Sequence, residues 1–217
     1  IFHNLCYCQG NNESLIKIFE LTNFGILPFE TNRIEDKNLV EIDNNLVLTG
    51  LLNNDSNKLF YMLGYYDIDE RKNVKEKKAY KFWAIAKFEI NNLLLFIYIK
   101  VGNDSLSTFL STYKNFSFVD SICIGFEEGG GDTEMTKYKE GVITEKLEIK
   151  TRYYEWNPEY SNKKLKENPE IPRTVVTLSD YKIDINTGKI ILIKQEKKYS
   201  KCVPEEFSYK DCNCVIF

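Results

Sequence analysis

Apolar positions along the chain fall mostly at alternate residues, in short runs separated by polar turns. That is the pattern of half-buried strands. The densest run is Leu93-Leu94-Leu95-Phe96-Ile97-Tyr98-Ile99-Lys100-Val101. It is too short to cross a bilayer as a helix and has the length of one buried strand. Leu93, Leu95, Ile97, Ile99 and Val101 point to one face, and Leu94, Phe96 and Tyr98 to the other. Neither face tolerates full exposure, so this strand is expected to lie at the centre of the molecule. Two more β-type runs follow at residues 106–113 and 118–126, across polar turns at 102–105 and 114–117.

Upstream, residues 79–90 alternate well. Tyr80, Phe82, Ala84, Ala86, Phe88 and Ile90 stand against Lys81, Trp83, Ile85, Lys87 and Glu89. Asn91-Asn92 joins this run to the central one, and asparagine tolerates the positive φ of a tight type I′ turn. Earlier still, residues 39–42 and 46–49 read as a hairpin around Asp43-Asn44-Asn45. Residues 58–66 read as a strand with Leu59, Tyr61, Leu63 and Tyr65 on one face, and 67–78 as a solvated charged loop. Downstream, 142–149 is expected to resume the sheet with Ile143, Leu147 and Ile149 inward, and 152–156 to extend it. Residues 157–173, with three prolines, form a long connection. Residues 174–185 and 189–196 form a last hairpin, with Gly188 suited to a left-handed position.

One segment has helical spacing instead. In residues 12–24, Leu15, Ile18, Phe19 and Thr22 share a face, Asn12 is a candidate cap, and Gly25 marks the stop. Pro28 then imposes an extended path through Leu27-Pro28-Phe29. A lid packed on the sheet is the plain reading of this helix, and a partner-binding helix the sharper one. The whole pattern predicts an all-β protein, mainly antiparallel: a meander, sandwich or open barrel with a short N-terminal helix. Residues 12–197 are expected to form a single domain, 1–11 a signal remnant or disordered N-terminus, and 198–217 a cysteine-bearing C-terminal tail.

Composition narrows the classes. The 217 residues include 14 Tyr and 14 Phe but few Gly and Pro, which favours strands. A formal net charge of −3 provides no basic field for nucleic acid. No apolar run has the length of a transmembrane helix. Cys123 lies in an apolar strand and reads as a core residue. Cys6 and Cys8 near one end, and Cys202, Cys212 and Cys214 near the other, make the rest of the cysteine set. Cys202 and Cys212 bracket a short loop that a disulfide would close in an oxidising compartment.

Candidate chemistry is sparse. His3 is the only histidine and lies near the start of the chain, which disfavours Ser-His-Asp and Cys-His mechanisms. His3 with Cys6, Cys8, Cys212 and Cys214 has zinc-type ligands, but Cys-x-Cys is not knuckle spacing, so no metal is assigned. Glu127, Glu128, Asp132 and Glu134 surround three glycines in a flexible acidic loop over 127–134. They lack the spaced ligands of an EF-hand, and a solvated hairpin loop explains them as well as calcium does. No Lys-Ser/Thr follows those glycines, so they do not form a phosphate cradle. Tyr153, Tyr154 and Trp156 form an aromatic run in which Tyr154 and Trp156 share a strand face. Like Trp83, they suit a stacking platform for a sugar or partner, and equally edge packing. Cys214-Val215-Ile216-Phe217 formally matches a prenylation box without an upstream polybasic stretch.

Several fragments occur in a familiar order. Leu27-Pro28-Phe29 follows a short helix, then come Phe109-Leu110-Ser111-Thr112-Tyr113, Val119-Asp120-Ser121-Ile122 and a Gly-rich acidic loop. Tyr181-Lys182-Ile183-Asp184 and Gly188-Lys189-Ile190 close the series. Over residues 14–195 this resembles a set of uncharacterised exported β-rich proteins of Bacteroidetes-type bacteria. The resemblance implies a periplasmic, outer-membrane-associated or secreted location and implies no reaction, cofactor or catalytic residue. The expectation is an exported, non-enzymatic binding protein of the cell envelope, immunity- or inhibitor-like, with a protein or glycan partner. Its candidate contacts are Tyr154, Trp156, Glu127, Glu128, Asp132 and Glu134. The alternatives are a carboxylate-dependent glycan hydrolase and a surface-assembly subunit pairing through a sheet edge.

Overall fold

The structure is a computed structural model and describes residues 6–34, 39–43, 46, 81–102, 105–128, 137–156 and 174–200. Helix α1 (Cys6–Leu21) leads, by way of the short strand β1 (Phe29–Glu30) and a 3-10 turn at Thr31–Arg33, into the sheet. The strands that follow are β2 (Val40–Ile42), β3 (Lys81–Ile90), β4 (Leu93–Val101), β5 (Ser105–Lys114) and β6 (Ser117–Glu128). After them come β7 (Lys137–Ile143), β8 (Glu148–Trp156), β9 (Thr174–Ile183) and β10 (Ile190–Ser200). From β2 to β10 each strand is hydrogen-bonded antiparallel to its sequence neighbour, and β1 adds to β7. The protein is therefore an antiparallel meander in an open sheet, as the alternation predicts.

Strand β4 is covered on both faces. Leu93, Leu95, Ile97 and Ile99 lie in a cluster shared with Leu110, Ile124, Ile143, Leu147, Ile149 and Ile183, so β7–β9 fold back across β3–β6. Phe96 and Tyr98, on the opposite face, join Phe82, Ala84 and Tyr113 beneath Leu15, Ile18 and Phe19 of α1. Phe19 meets Phe96 edge-on at 5.2 Å and Tyr113 at 5.4 Å. Thr22, fourth on the predicted helical face, is also buried, with its hydroxyl bonded to the Ile18 carbonyl. The helix is a lid over the sheet.

The structure corrects the sequence reading in five places. The helix starts at Cys6, so Asn12 lies within it and is not its cap. Single-residue helix preferences amount to a fraction of a kcal/mol, about 0.7 at most for ordinary residues, too little to enforce a start at Asn12. Leu46 is helical rather than extended and packs against the α1-side cluster, so the strand β2 pairs with is β3. In β3 the register slips between Ala84 and Ala86. This bulge turns the even positions over: Phe82 and Ala84 face the helix, whereas Ala86 and Phe88 face the main core. Residues 142–149 are two strand ends joined by a turn, with Leu147 left-handed at φ 59° and its N–H bonded to the Thr144 carbonyl. Polar Thr144-Glu145-Lys146 supplies that turn, and Ile143, Leu147 and Ile149 are all inward nonetheless. Finally, Glu127 and Glu128 belong to β6 rather than to a loop, because they pair with Leu106 and Ser105. Residues 47–49, 58–66, 67–78, 157–173 and the tail from 201 lie outside the described residues.

Two further turns follow the sequence. Asn91 is left-handed at φ 56°, and Gly188 at φ 79°. The Gly188 turn is sewn to the middle of the sheet. The Thr112 hydroxyl donates to the Gly188 carbonyl at 2.7 Å, and the Asp120 carboxylate accepts the Ile190 N–H at 2.9 Å.

Candidate functional site

The geometry of the site begins where β6 and β7 part. They pair only over Phe126–Lys139, Glu127–Tyr138 and Glu128–Lys137. Beyond Lys139, β7 takes β1 as its neighbour, through Phe29–Ile143 and Glu30–Val142. Where two strands separate, backbone groups lose their ladder partners and each must find another. The Lys139 ammonium donates to the Cys123 carbonyl at 2.6 Å, and the Thr31 hydroxyl accepts the Gly141 N–H at 2.9 Å. Close passage is required as well. A Cβ on Gly141 would overlap the Ile124 carbonyl oxygen, so Gly141→Ala is expected to cost about 1–3 kcal/mol, measurable by urea denaturation. Lys139→Met leaves the Cys123 carbonyl unpaired and is expected to lose about 1–3 kcal/mol by the same measurement.

Above this parting lies a cleft of about 600 Å³. Trp83, Ile99, Val101, Leu106 and Thr108 contribute from β3, β4 and β5. Thr31, Asn32, Ile34 and Leu39 contribute from the segment after β1, and Gly125, Phe126, Glu127, Tyr138 and Lys139 from β6 and β7. Ile99 belongs to the main core, and Trp83, Val101, Leu106, Ile34 and Leu39 pack against it. The cleft is thus the unfilled end of the main core, at the ends of β4, β5, β6 and β7, from which segments 103–104 and 129–136 connect the strands. The opposite ends of the strands are closed by short turns at 91–92, 115–116 and 144–147.

Electrostatics in the cleft are modest. Burial holds the Lys139 ammonium below the ordinary lysine range, with the nearby Cys123 acting in the other direction. Burial likewise pushes the Cys123 thiol up, which disfavours thiolate chemistry there. Cys123 carries a free thiol and is half-buried, outside both core clusters, so it is a strand residue beside the core and not the core residue the sequence suggests.

Of the predicted contact residues, the side chains of Glu127, Glu128 and Tyr154 are described, and they do not gather at one place. Glu127 lines the cleft, whereas Glu128 pairs with Lys137 at 3.1 Å. Successive residues of a strand point to opposite faces, so the two glutamates do not form one carboxylate cluster. Asp132 and Glu134 lie outside the described residues, as do Cys202 and Cys212. Tyr154 is half-buried on β8, packs against Tyr138 at 5.9 Å and reaches the Glu140 carboxylate at 3.5 Å. Burial raises its hydroxyl above the usual tyrosine value, with the Glu140 charge adding to the rise. The backbone of Trp156 pairs with Thr174, and its side chain lies outside the described part. Among the described residues no three His, Cys, Asp or Glu side chains gather as a metal site.

Sequence reasoning singled out Trp83 but missed Ile99, Val101, Leu106 and Phe126 as cleft residues. All are apolar strand positions, and only their place near strand ends separates them from ordinary core. No family model, curated protein or solved structure matches the chain, so the site stands on its own chemistry. What the fold defines is an antiparallel sheet with a cleft of mixed apolar and polar lining at the mouth of its core.

Proposed function

We propose that this chain is a non-enzymatic binding protein whose ligand enters the cleft bounded by Trp83, Phe126 and Tyr138. One observation carries the reading: a cavity of about 600 Å³ opens at the end of the main core, with Trp83, Phe126 and Tyr138 on its wall and a lining shared almost evenly between apolar and polar surface. Size and chemistry are those of small-molecule sites. Export to the cell envelope remains part of the proposal, on the strength of the sequence resemblance alone. The hydrolase alternative needs a second carboxylate facing Glu127, and Glu127 is the one carboxylate among the described lining residues. The assembly alternative rests on β10, which ends the strand path and exposes Ile191, Leu192 and Ile193. That strand also carries Lys194, Lys197 and Lys198 and a bulge between Leu192 and Lys194, features that discourage edge-to-edge pairing.

The test uses the full chain carrying Trp156→Phe, so that Trp83 reports alone. A small-molecule library is titrated against its emission, and bacterial and plant polysaccharides are assayed for turnover in parallel. Saturable change in Trp83 emission without turnover is the expected result. Polysaccharide cleavage, or a Trp83 signal insensitive to every compound, overturns the reading.

A further inference from the structure

Resting on the binding reading above, we infer that the cleft takes a short peptide with both termini free, its carboxylate on Lys139, its ammonium on Glu127 and its apolar side chains against Trp83, Val101 and Leu106. The charges select the class. Glu127 is the one carboxylate and Lys139 the one cation among the described lining residues. Among the described residues neither has a partner of opposite charge. Lys139 rests on the Cys123 carbonyl, and the neighbouring Glu128 and Lys137 hold each other at 3.1 Å. A ligand that fills the cleft takes both groups out of water, and a desolvated charge without a partner is costly. An acid answers Lys139 and leaves Glu127, and an amine does the reverse. A saccharide finds hydrogen-bonding groups here as well, on Trp83, Tyr138, Thr31 and Lys139, but brings no charge to either group. A zwitterion answers both. Burial already disfavours the charged form of Lys139, and an arriving carboxylate offsets that cost.

Spacing then selects the length. The Lys139 ammonium is held at the Cys123 carbonyl. Cys123 lies opposite Phe109 and Glu127 opposite Leu106, so roughly 10 Å of strand separates the two positions. A single amino acid carries both charges on one residue. An extended chain gains about 3.3–3.6 Å per residue, so about two or three residues reach across, with the Glu127 side chain covering the remainder. The mixed lining suits such a chain, which alternates polar backbone with side chains. Asn32, exposed at the margin, is placed for the backbone, and Ile99, Val101 and Leu106 for the side chains.

Trileucine is titrated into the Trp156→Phe protein with free termini, N-acetylated, C-amidated and blocked at both ends, with leucine alongside. One molecule per chain is expected to bind, and each block should weaken it about tenfold, the loss of one charge-assisted contact. Leucine should bind more weakly than free trileucine. Glu127→Gln should remove the difference between the free and the acetylated amine and keep the difference at the carboxylate. Lys139→Met should do the converse. Glu127→Gln, an exposed substitution, decides alone should Lys139→Met fail to fold. Doubly blocked trileucine or leucine binding as tightly as the free peptide, or both differences persisting in every folded variant, overturns the inference. A saccharide that saturates the Trp83 signal where no form of trileucine does also overturns it, and leaves the binding reading intact.

Discussion

Phe96→Ala should lower the unfolding free energy by about 3–5 kcal/mol, the range for truncating a fully enclosed aromatic side chain. Phe96 is fully buried on the helix-facing side of β4. Its ring meets Phe19 edge-on at 5.2 Å and stacks on Tyr98 at 5.5 Å. Removal leaves a cavity beneath α1 that neither the sheet nor the helix can close without breaking other contacts. Because the site joins the helix to the sheet, far-ultraviolet circular dichroism should show helix loss preceding sheet loss in the variant. Equilibrium denaturation monitored by both tyrosine fluorescence and circular dichroism checks the cost. A change below about 1 kcal/mol would mean that the helix is not docked on β4.

A second large effect is expected in alkali. Burial pushes the Tyr98 hydroxyl up to about 12, partly offset by hydrogen bonds to Ser111 and Ser121. It pushes Tyr113 up as well, with the neighbouring Tyr98 adding to the rise. An unfolded tyrosine ionises near 10, as a free phenol does. Below that pH both states are neutral and nothing changes. Above it the unfolded chain releases protons that the folded chain retains, so stability falls as pH rises from about 10 towards 12. Tyr98 alone should account for about 3 kcal/mol of that loss once the pH passes its folded-state value. Urea midpoints measured between pH 8 and 12 should fall accordingly, with tyrosinate absorbance appearing as the chain unfolds. Tyr98→Phe should flatten the slope, because the ionisable group is gone.

Much of this fold is legible in the residues, and the reason is the two-residue repeat. Alternation fixes which side chains share a face of β4, and both of its faces are buried as Leu95 and Phe96 require. Helical spacing likewise places Leu15, Ile18, Phe19 and Thr22 on the packed side of α1. The bulge in β3 escapes such reading. The alternation runs from Tyr80 to Ile90 with apolar Trp83 and Ile85 on its polar side, and the slip at Ile85 goes with the strand serving two different cores. The turn at 144–147 is hidden for a similar reason: Leu147 is inward despite sitting in a left-handed turn conformation. The cleft is least legible. Val101 and Leu106 look like core in sequence, and what leaves them lining a cavity is the parting of β6 from β7, a long-range event that no local pattern encodes.

Hydrogen exchange resolved to individual amides tests the two-sided burial of β4 most directly. Amides of Leu95, Ile97 and Ile99 lie in a strand paired on both edges and covered on both faces. They should exchange only through global unfolding, with free energies equal to the value from denaturation. Amides of β10, which ends the strand path, should exchange through smaller openings. Exchange in β4 as rapid as that in β10 would contradict a central strand enclosed between the helix and the returning half of the sheet.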